Sequence, residues 1–286
     1  MRYNVIRKSF IHFLEEIKMK KIFALALAVL CLMTCLVGCA GQKDDPAVTT
    51  TAAATTAATT VAEKPVLKMA TNAYFQPYEF YKDGKIVGID AEIAAAVADY
   101  LGYKLEIVDM EFDSIITAVK EGSVDFGMAG MTVTPDRLLE IDFSNSYATG
   151  VQSIIVPAGS PITCVDDLYA DGANYKVGVQ RGTTGDIYAT DDFGAENVTT
   201  YDNGNGAVLA LVGGDVDCVI IDNEPAKALV AANAGLTILD TSYADEDYAI
   251  CIKKGNDALL EKINEAIVAL TADGTIDAIV AKYIPA

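Results

Sequence analysis

Histidine is all but missing from this chain, and much of enzyme chemistry goes with it. The one histidine, His12, lies in the N-terminal segment read below as a removable leader, so the rest has no imidazole. That excludes Ser-His-Asp and Cys-His nucleophiles and every histidine-ligated metal site. Cysteine is scarce too. Of six, Cys31, Cys35 and Cys39 belong to the leader or its end, leaving Cys164, Cys218 and Cys251. These are too far apart for a metal knuckle, so neither a metal nor a cofactor is expected. An odd number leaves at least one free thiol or an intermolecular bond. Cys218 and Cys251 fall in the apolar runs Asp217–Ile221 and Tyr248–Ile252, where a buried small apolar role fits, and no structural disulfide is expected. Positive charge is the third shortage. Residues 39–286 hold fifteen Lys and Arg against thirty-eight Asp and Glu, a net of −23. Such a surface repels nucleic acid and anionic lipid, so nucleic acid is excluded as a partner.

The leader has its own pattern. Lys18, Lys20 and Lys21 precede an apolar run, Ile22–Val37, broken only by Thr34. Its sixteen residues fall short of the roughly 20 that span a bilayer, and the order of segments is that of a secretory signal. The run ends in Leu36-Val37-Gly38-Cys39, which resembles a bacterial lipobox. The resemblance implies a signal peptide over 1–38 and a lipid on Cys39 that holds the chain at the outer face of the cytoplasmic membrane. Met19 would begin a normal signal by itself, so translation starts at Met1 or at Met19. Residues 39–65 contain the lipidated cysteine and a tether, Gly41–Lys64, dominated by Thr and Ala. It lacks apolar periodicity and is expected to be disordered, with a reach of about 25–30 Å.

From Val66 strands and helices alternate. Strands are expected at Leu67–Ala70, Leu105–Val108, Val124–Ala129, Lys176–Val179 and Val216–Ile221. Helices are expected at Asp90–Leu101, Phe112–Lys120, from Thr183, and at Ala207–Val212, Pro225–Asn233, Asp257–Ala272 and Thr275–Tyr283. Repeated β-α-β units imply an α/β fold with parallel sheets. One unit occurs twice: Ala118-Val-Lys-Glu-Gly-Ser-Val-Asp125 is echoed by Ala210-Leu-Val-Gly-Gly-Asp-Val-Asp217 at an offset of 92. Two lobes of similar build follow from it, unless two αβ units merely look alike. Parallel sheets hold ligands beyond the carboxyl ends of their strands, here near Ala129-Gly130-Met131-Thr132 and Ile221-Asp222-Asn223-Glu224.

Candidate binding residues gather at those ends. Arg137 and Arg181 are the only arginines beyond the leader, against thirteen lysines. A guanidinium matches a carboxylate as a planar fork, and Arg137 follows a strand end by one turn; a surface pair with Asp136 or Glu140 explains it equally well. Gln180-Arg181-Gly182-Thr183-Thr184-Gly185 opens a helix, an anion site or plain capping. Asp222 follows four apolar residues and needs either a cation or the helix it caps. Tyr74, Phe75, Tyr78, Phe80 and Phe112 cover a small ligand or fill the core.

The segment Phe112–Gly150, FDSIITAVKEGSVDFGMAGMTVTPDRLLEIDFSNSYATG, resembles the signature of the polar amino-acid-binding family of ABC transporters. YFQPYEF, GID, GVQRGTTG, IIDNEPA and ADGTIDAIVAKYIP follow in that family's order, over Val66–Ala286. The resemblance, to bacterial extracellular solute-binding proteins of family 3 in lipoprotein form, implies a type II periplasmic-binding fold. Two αβ lobes are then joined by a two-strand hinge near Thr149-Gly150 and Glu246-Asp247, with 66–149 plus 247–286 as one lobe and 150–246 as the other. It further implies that Arg137 pairs with a ligand α-carboxylate, helped by backbone N–H groups of Thr132 and Thr184. Asp222 takes the α-ammonium with the Gly130 carbonyl and the Thr132 hydroxyl. Phe75 and Phe112 sandwich the side chain, and Asn72 and Gln180 line its polar end. The implied partners are an L-amino acid and permease subunits, for a monomer anchored through Cys39.

Asn72 stands where some members carry an acid, which counts against a strongly cationic ligand. Gly185 stands where some offer a polar side chain. Arg181 would favour an acidic ligand only if it turned inward. Two other functions compete. The same fold hosts a cyclohexadienyl dehydratase, for which Glu79 and Glu224 are the nearest acid–base candidates. The other is an amino-acid-sensing lipoprotein without transport.

Overall fold

The computed structural model of the chain describes residues 63–285. The expectations for the leader, for Cys39 and for the tether as far as residue 62 lie outside the described residues. Lys64 at the tether's end is described, with its Nζ 3.0 Å from Asp99 Oδ1.

The first half opens with β1 (Val66–Thr71) and a small antiparallel flap of β2 (Tyr74–Phe75), β3 (Glu79–Lys82) and β4 (Lys85–Val87). Helix α1 (Ile89–Tyr100) buries Ile89, Ile93, Ala94 and Val97, the single face that a spacing of three and four residues creates. β5 (Lys104–Asp109) returns parallel to β1, with Val66 opposite Lys104. A short 3-10 turn at Phe112 leads into α2 (Ile115–Glu121), and β6 (Phe126–Gly127) lies parallel to β1 on its other side. Then comes α3 (Pro135–Glu140), with Pro at its first position and Thr134 as cap: Arg137 N donates to Thr134 Oγ1 at 3.2 Å.

Of β7 (Ile141–Pro157) only a crossing near Thr149-Gly150 was anticipated, not its length. Its seventeen residues run roughly 50 Å and lead into the second half. There β8 (Val177–Gln180), α4 (Thr184–Phe193), β9 (Val198–Tyr201), α5 (Gly204–Gly213), β10 (Cys218–Asp222) and α6 (Asn223–Ala232) repeat the strand–helix alternation. A short β11 (Leu236–Ile238) precedes β12 (Ala244–Lys253), which returns antiparallel to β7 from Gln152–Ala244 to Ile141–Lys253. α7 (Asp257–Ala272) and α8 (Thr275–Tyr283) have the bounds expected of them. They pack on α1, where Lys282 Nζ and Tyr283 Oη both meet Glu92 Oε1, so the C terminus returns to the first half.

Among the described residues the main sheet has nine strands in the order β5-β1-β6-β12-β7-β10-β8-β9, with β11 beside β7. The antiparallel pair β7 and β12 therefore joins two parallel halves, the mixed α/β type II fold with its two lobes. β10, antiparallel to β7 and parallel to β8, is buried at every position, as a central strand covered on both faces should be.

The internal echo is a matching device in both lobes. Each helix ends on a left-handed glycine, Gly122 at φ 79° and Gly214 at φ 80°, a conformation glycine adopts without steric cost. Ser123 N donates back to Ala118 O and Asp215 N to Ala210 O. Asp125 Oδ2 then accepts from Lys68 N, and Asp217 Oδ2 from Lys176 N, each at 2.7 Å. Val-Asp thus fastens the start of the next parallel strand in each half.

One expected strand is shorter than read. Val124–Ala129 contributes only Phe126–Gly127 to the sheet. Asp125 is taken up by its clamp on Lys68, and the chain leaves β1 after Met128 N donates to Ala70 O at 3.0 Å. If the clamps are equivalent, Asp125→Ala and Asp217→Ala each cost about 1–3 kcal/mol, a charge-assisted hydrogen bond apiece. Urea denaturation checks this; a loss at one site only would break the equivalence.

Candidate functional site

The carboxyl ends of the two parallel halves meet at one cavity. Its walls carry Asn72, Phe75, Phe112, Gly130, Thr132, Arg137, Gln180, Thr184 and Asp222, the nine ligand-binding residues expected from the sequence. Glu79, Gln152 and Glu246 also line it and were not among them.

Arg137 is buried, and its pairing is not with the acids of its own helix. Glu140 instead meets Lys120. The guanidinium donates to Thr132 O at 2.8 Å and, across the cavity, to Gly182 O at 3.0 Å. Its carbon lies 5.4 Å from the centre of the Phe112 ring, a cation–π arrangement. Burial lowers its pKa, and the charge of Glu246 works against that fall. Five N–H groups in a guanidinium leave some for a carboxylate after two carbonyls are served.

Asp222 ends β10 and caps α6. Its Oδ1 accepts from Glu224 N at 3.1 Å, and its Oδ2 from Val151 N at 3.2 Å and from Tyr248 Oη. Both earlier accounts of Asp222 therefore coexist: it caps a helix and faces the cavity. Burial pushes its carboxyl up to about 7, against the lowering effect of Tyr248 and the Glu224 N–H; the charge of Glu246 adds to the rise. Gly150 faces the same cluster. A Cβ there would overlap Tyr248 Oη and come within 2.5 Å of Asp222 Oδ2.

The halves also touch through a pair of side-chain amides. Gln180 Nε2 donates to Asn72 Oδ1 at 3.1 Å, while Asn72 Nδ2 donates to Met110 O at 2.8 Å. Glu246 Oε2 accepts from Gln152 Nε2 at 3.0 Å. Burial raises the Glu246 pKa, opposed by Thr184, Gln152, Thr132 and the Arg137 charge. Gln152 also explains Gly185: a Cβ on that glycine would stand 3.0 Å from Gln152 Oε1. Arg181 turns outward to Asp202, 2.8 Å away, and is not a wall of the cavity.

Cys164, Cys218 and Cys251 are free thiols, and the last two are buried in β10 and β12. Burial pushes both of those thiols up to about 12, so they are inert apolar filling. No cluster of three His, Cys, Asp or Glu able to hold a metal occurs among the described residues. No helix among them is long and apolar enough to cross a membrane.

Residues 67–286 match the family model of bacterial extracellular solute-binding proteins, family 3. The chain belongs to this family. A probable histidine-binding protein of Neisseria gonorrhoeae is 31% identical to it, over 93% of this chain and 96% of that one. An ABC transporter glutamine-binding protein of Bacillus subtilis is 30% identical, over 93% and 98%. Among solved structures, an ancestral arginine-binding protein bound to glutamine is 37% identical, with a TM-score of 0.73 over 78% of this chain and 99% of that one. As a member of family 3, this is an amino-acid-binding protein of ABC transport and not an enzyme.

Asp222, with a folded pKa near 7 against an ordinary value near 4, keeps a proton that the unfolded chain releases. The stability it contributes is full below about pH 4 and is lost as pH rises through about 7. The melting temperature without ligand is therefore expected to fall between about pH 4 and pH 7, and Asp222→Asn to flatten part of that fall. A melting curve at each pH checks it.

Proposed function

We propose that the chain is an exported lipoprotein, anchored through Cys39 outside the cytoplasmic membrane, that captures a polar L-amino acid and hands it to the permease of an ABC importer. The observation that carries this reading is one cavity with a buried guanidinium, Arg137, and a buried carboxyl, Asp222, on its walls. A zwitterion offers the complementary pair: its carboxylate meets Arg137, with N–H groups of Thr132 and Thr184, and its ammonium meets Asp222, the Gly130 carbonyl and the Thr132 hydroxyl. Phe75 and Phe112 enclose the side chain between Asn72 and Gln180. Out of water such pairings strengthen. Names of the relatives, which specify histidine, glutamine and arginine, support this ligand class.

Binding is by closure. The lobes, 66–149 plus 247–286 and 150–246, turn about the strand crossings, where Thr149 pairs with Asp247 and Gly150 with Glu246. The contacts of Arg137 with Gly182 and of Gln180 with Asn72 bridge them. The enclosed space is about 20 Å³, room for about one water, so an amino acid enters only when the walls part. Ligand then favours the closed form by its differential affinity, and the closed form docks on the permease. The protein acts as a monomer.

A melting-temperature screen of residues 63–286 against the twenty L-amino acids, ornithine, citrulline and cystine tests the class; a rise with none of them contradicts it. In calorimetry with the best ligand, Arg137→Ala is expected to weaken binding by a hundredfold or more, because a buried carboxylate loses its partner. Retained affinity would remove Arg137 from its role.

A further inference from the structure

Glu246 lies among the groups that the reading above gives to a ligand's α-carboxylate, yet it is itself an acid. It belongs to β12 at the crossing, pairs with Gly150 of β7, and is 6% exposed. Tyr248, two positions on and so on the same face of the strand, bridges to Thr132. Val133 N donates to Asp247 O at 3.1 Å, and the chain runs on from there to α3 and Arg137. From the other half come Gln152, whose Nε2 donates to Glu246 Oε2 at 3.0 Å, and Thr184 at the start of α4. Thr132, Arg137, Gln152, Thr184 and Glu246 all line the one cavity.

The charges around Glu246 are few. Arg137 gives its two hydrogen bonds to carbonyls, which carry no net charge, and Glu246 is the first of the groups that support its ionised form against burial. In return, Thr184, Gln152, Thr132 and the Arg137 charge oppose the rise that burial causes in the Glu246 pKa. Asp222, at the end of β10, adds negative charge from the far wall, and the Tyr248 hydroxyl is given to Asp222. Asp245 and Asp247, the neighbours of Glu246 in β12, are exposed. Glu246 Oε1 has no partner at hydrogen-bond distance. One buried guanidinium does not support two ionised carboxylates in so small a space, so a ligand's carboxylate and that of Glu246 compete for it.

We propose that Glu246 is an internal stand-in for the ligand's α-carboxylate: it supplies the counter-charge to Arg137 without ligand, and an incoming amino acid takes that place and makes Glu246 accept one proton from solvent. The proposal rests on the reading of this cavity as an amino-acid site and adds a built-in competitor to it. Once protonated, Glu246 still accepts from Gln152 through Oε2, and Oε1 changes from an unpartnered acceptor into an O–H donor for the arriving carboxylate. The stand-in spares Arg137 an uncompensated buried charge, and it weakens binding by the same interaction. Proton uptake at Glu246 makes affinity fall as pH rises. Asp222 acts with the opposite sign, because a ligand ammonium drives its proton off.

Calorimetry on wild type and Glu246→Gln, with L-arginine and L-glutamine in buffers of differing ionisation enthalpy between pH 5 and pH 8, tests it. Glutamine at this position keeps an acceptor for Gln152 and removes the charge, while Asp222 contributes equally to both proteins. Glu246→Gln is expected to bind tighter than wild type by about tenfold at pH 8, with the advantage shrinking toward pH 5, where wild-type Glu246 is increasingly neutral. Near pH 7 the variant should release up to about one proton more per site than wild type, because the compensating uptake is gone. If Glu246→Gln fails to melt cooperatively, Glu246→Ala carries the same expectations. Binding by the variant no tighter than wild type at pH 8, or an unchanged proton count, overturns the proposal. Absence of binding by either amino acid to either protein would instead remove the functional reading on which it rests.

Discussion

Gly150 sits where the two lobes are joined, and the space its missing side chain leaves is filled by Tyr248 Oη and Asp222 Oδ2. That close approach ties three parts of the molecule together. Gly150 belongs to β7, Tyr248 to β12, and Asp222 to the last position of β10. The strands that carry the chain between lobes thus also hold the acid that faces the cavity. Gln152 and Glu246, two residues from Gly150 and Tyr248 respectively, complete the same wall. The crossing and the geometry of the site are therefore coupled. A change in twist there moves Asp222, Gln152 and Glu246 together.

The electrostatics follow from burial. Two carbonyls, an aromatic face and the nearby Glu246 support the charge of buried Arg137, while Asp222, Glu246, Glu79 and Asp90 are all pushed toward their protonated forms. Without ligand, burial makes the charged form of each of these carboxyls costlier than it is in water. An ammonium offsets that cost at Asp222, because the ionised carboxyl then has a partner. The cavity is consequently poised to exchange protons for ligand charge. The surrounding acidic surface, at net −23 beyond the leader, supplies a background that favours cations at longer range.

Much of this was legible in the sequence, for identifiable reasons. Arg137 stood out because arginine is rare in the chain, and Asp222 because a carboxylate after four apolar residues needs a partner. The Val-Asp echo carried its own geometry, since the Asp side chains repeat one clamp in both lobes. Beyond the crossing implied at Thr149-Gly150, β7 escaped notice because its first half is polar, Asp142, Ser144, Asn145 and Ser146, and shows no apolar alternation. Its pairing with β12 is irregular, and Ser144 Oγ accepts from Ile250 N where the register shifts. Gln152 and Glu246 were missed with it as wall residues. Their position depends on pairing between segments ninety-odd residues apart, which no local pattern encodes. Glu79 was noticed only as an acid–base candidate for a dehydratase; its neighbour Asp90 lies on the following helix and comes near through the fold of the flap.

The central claim is that the lobes part to admit an amino acid and close when Arg137 and Asp222 engage its two charges. Small-angle X-ray scattering of residues 63–286, with and without a saturating ligand, tests this most directly. The account predicts a smaller radius of gyration on addition of ligand to the wild type, and no contraction in Arg137→Ala at the same concentration. A wild-type protein that binds its amino acid with no change in radius would contradict closure as the means of capture.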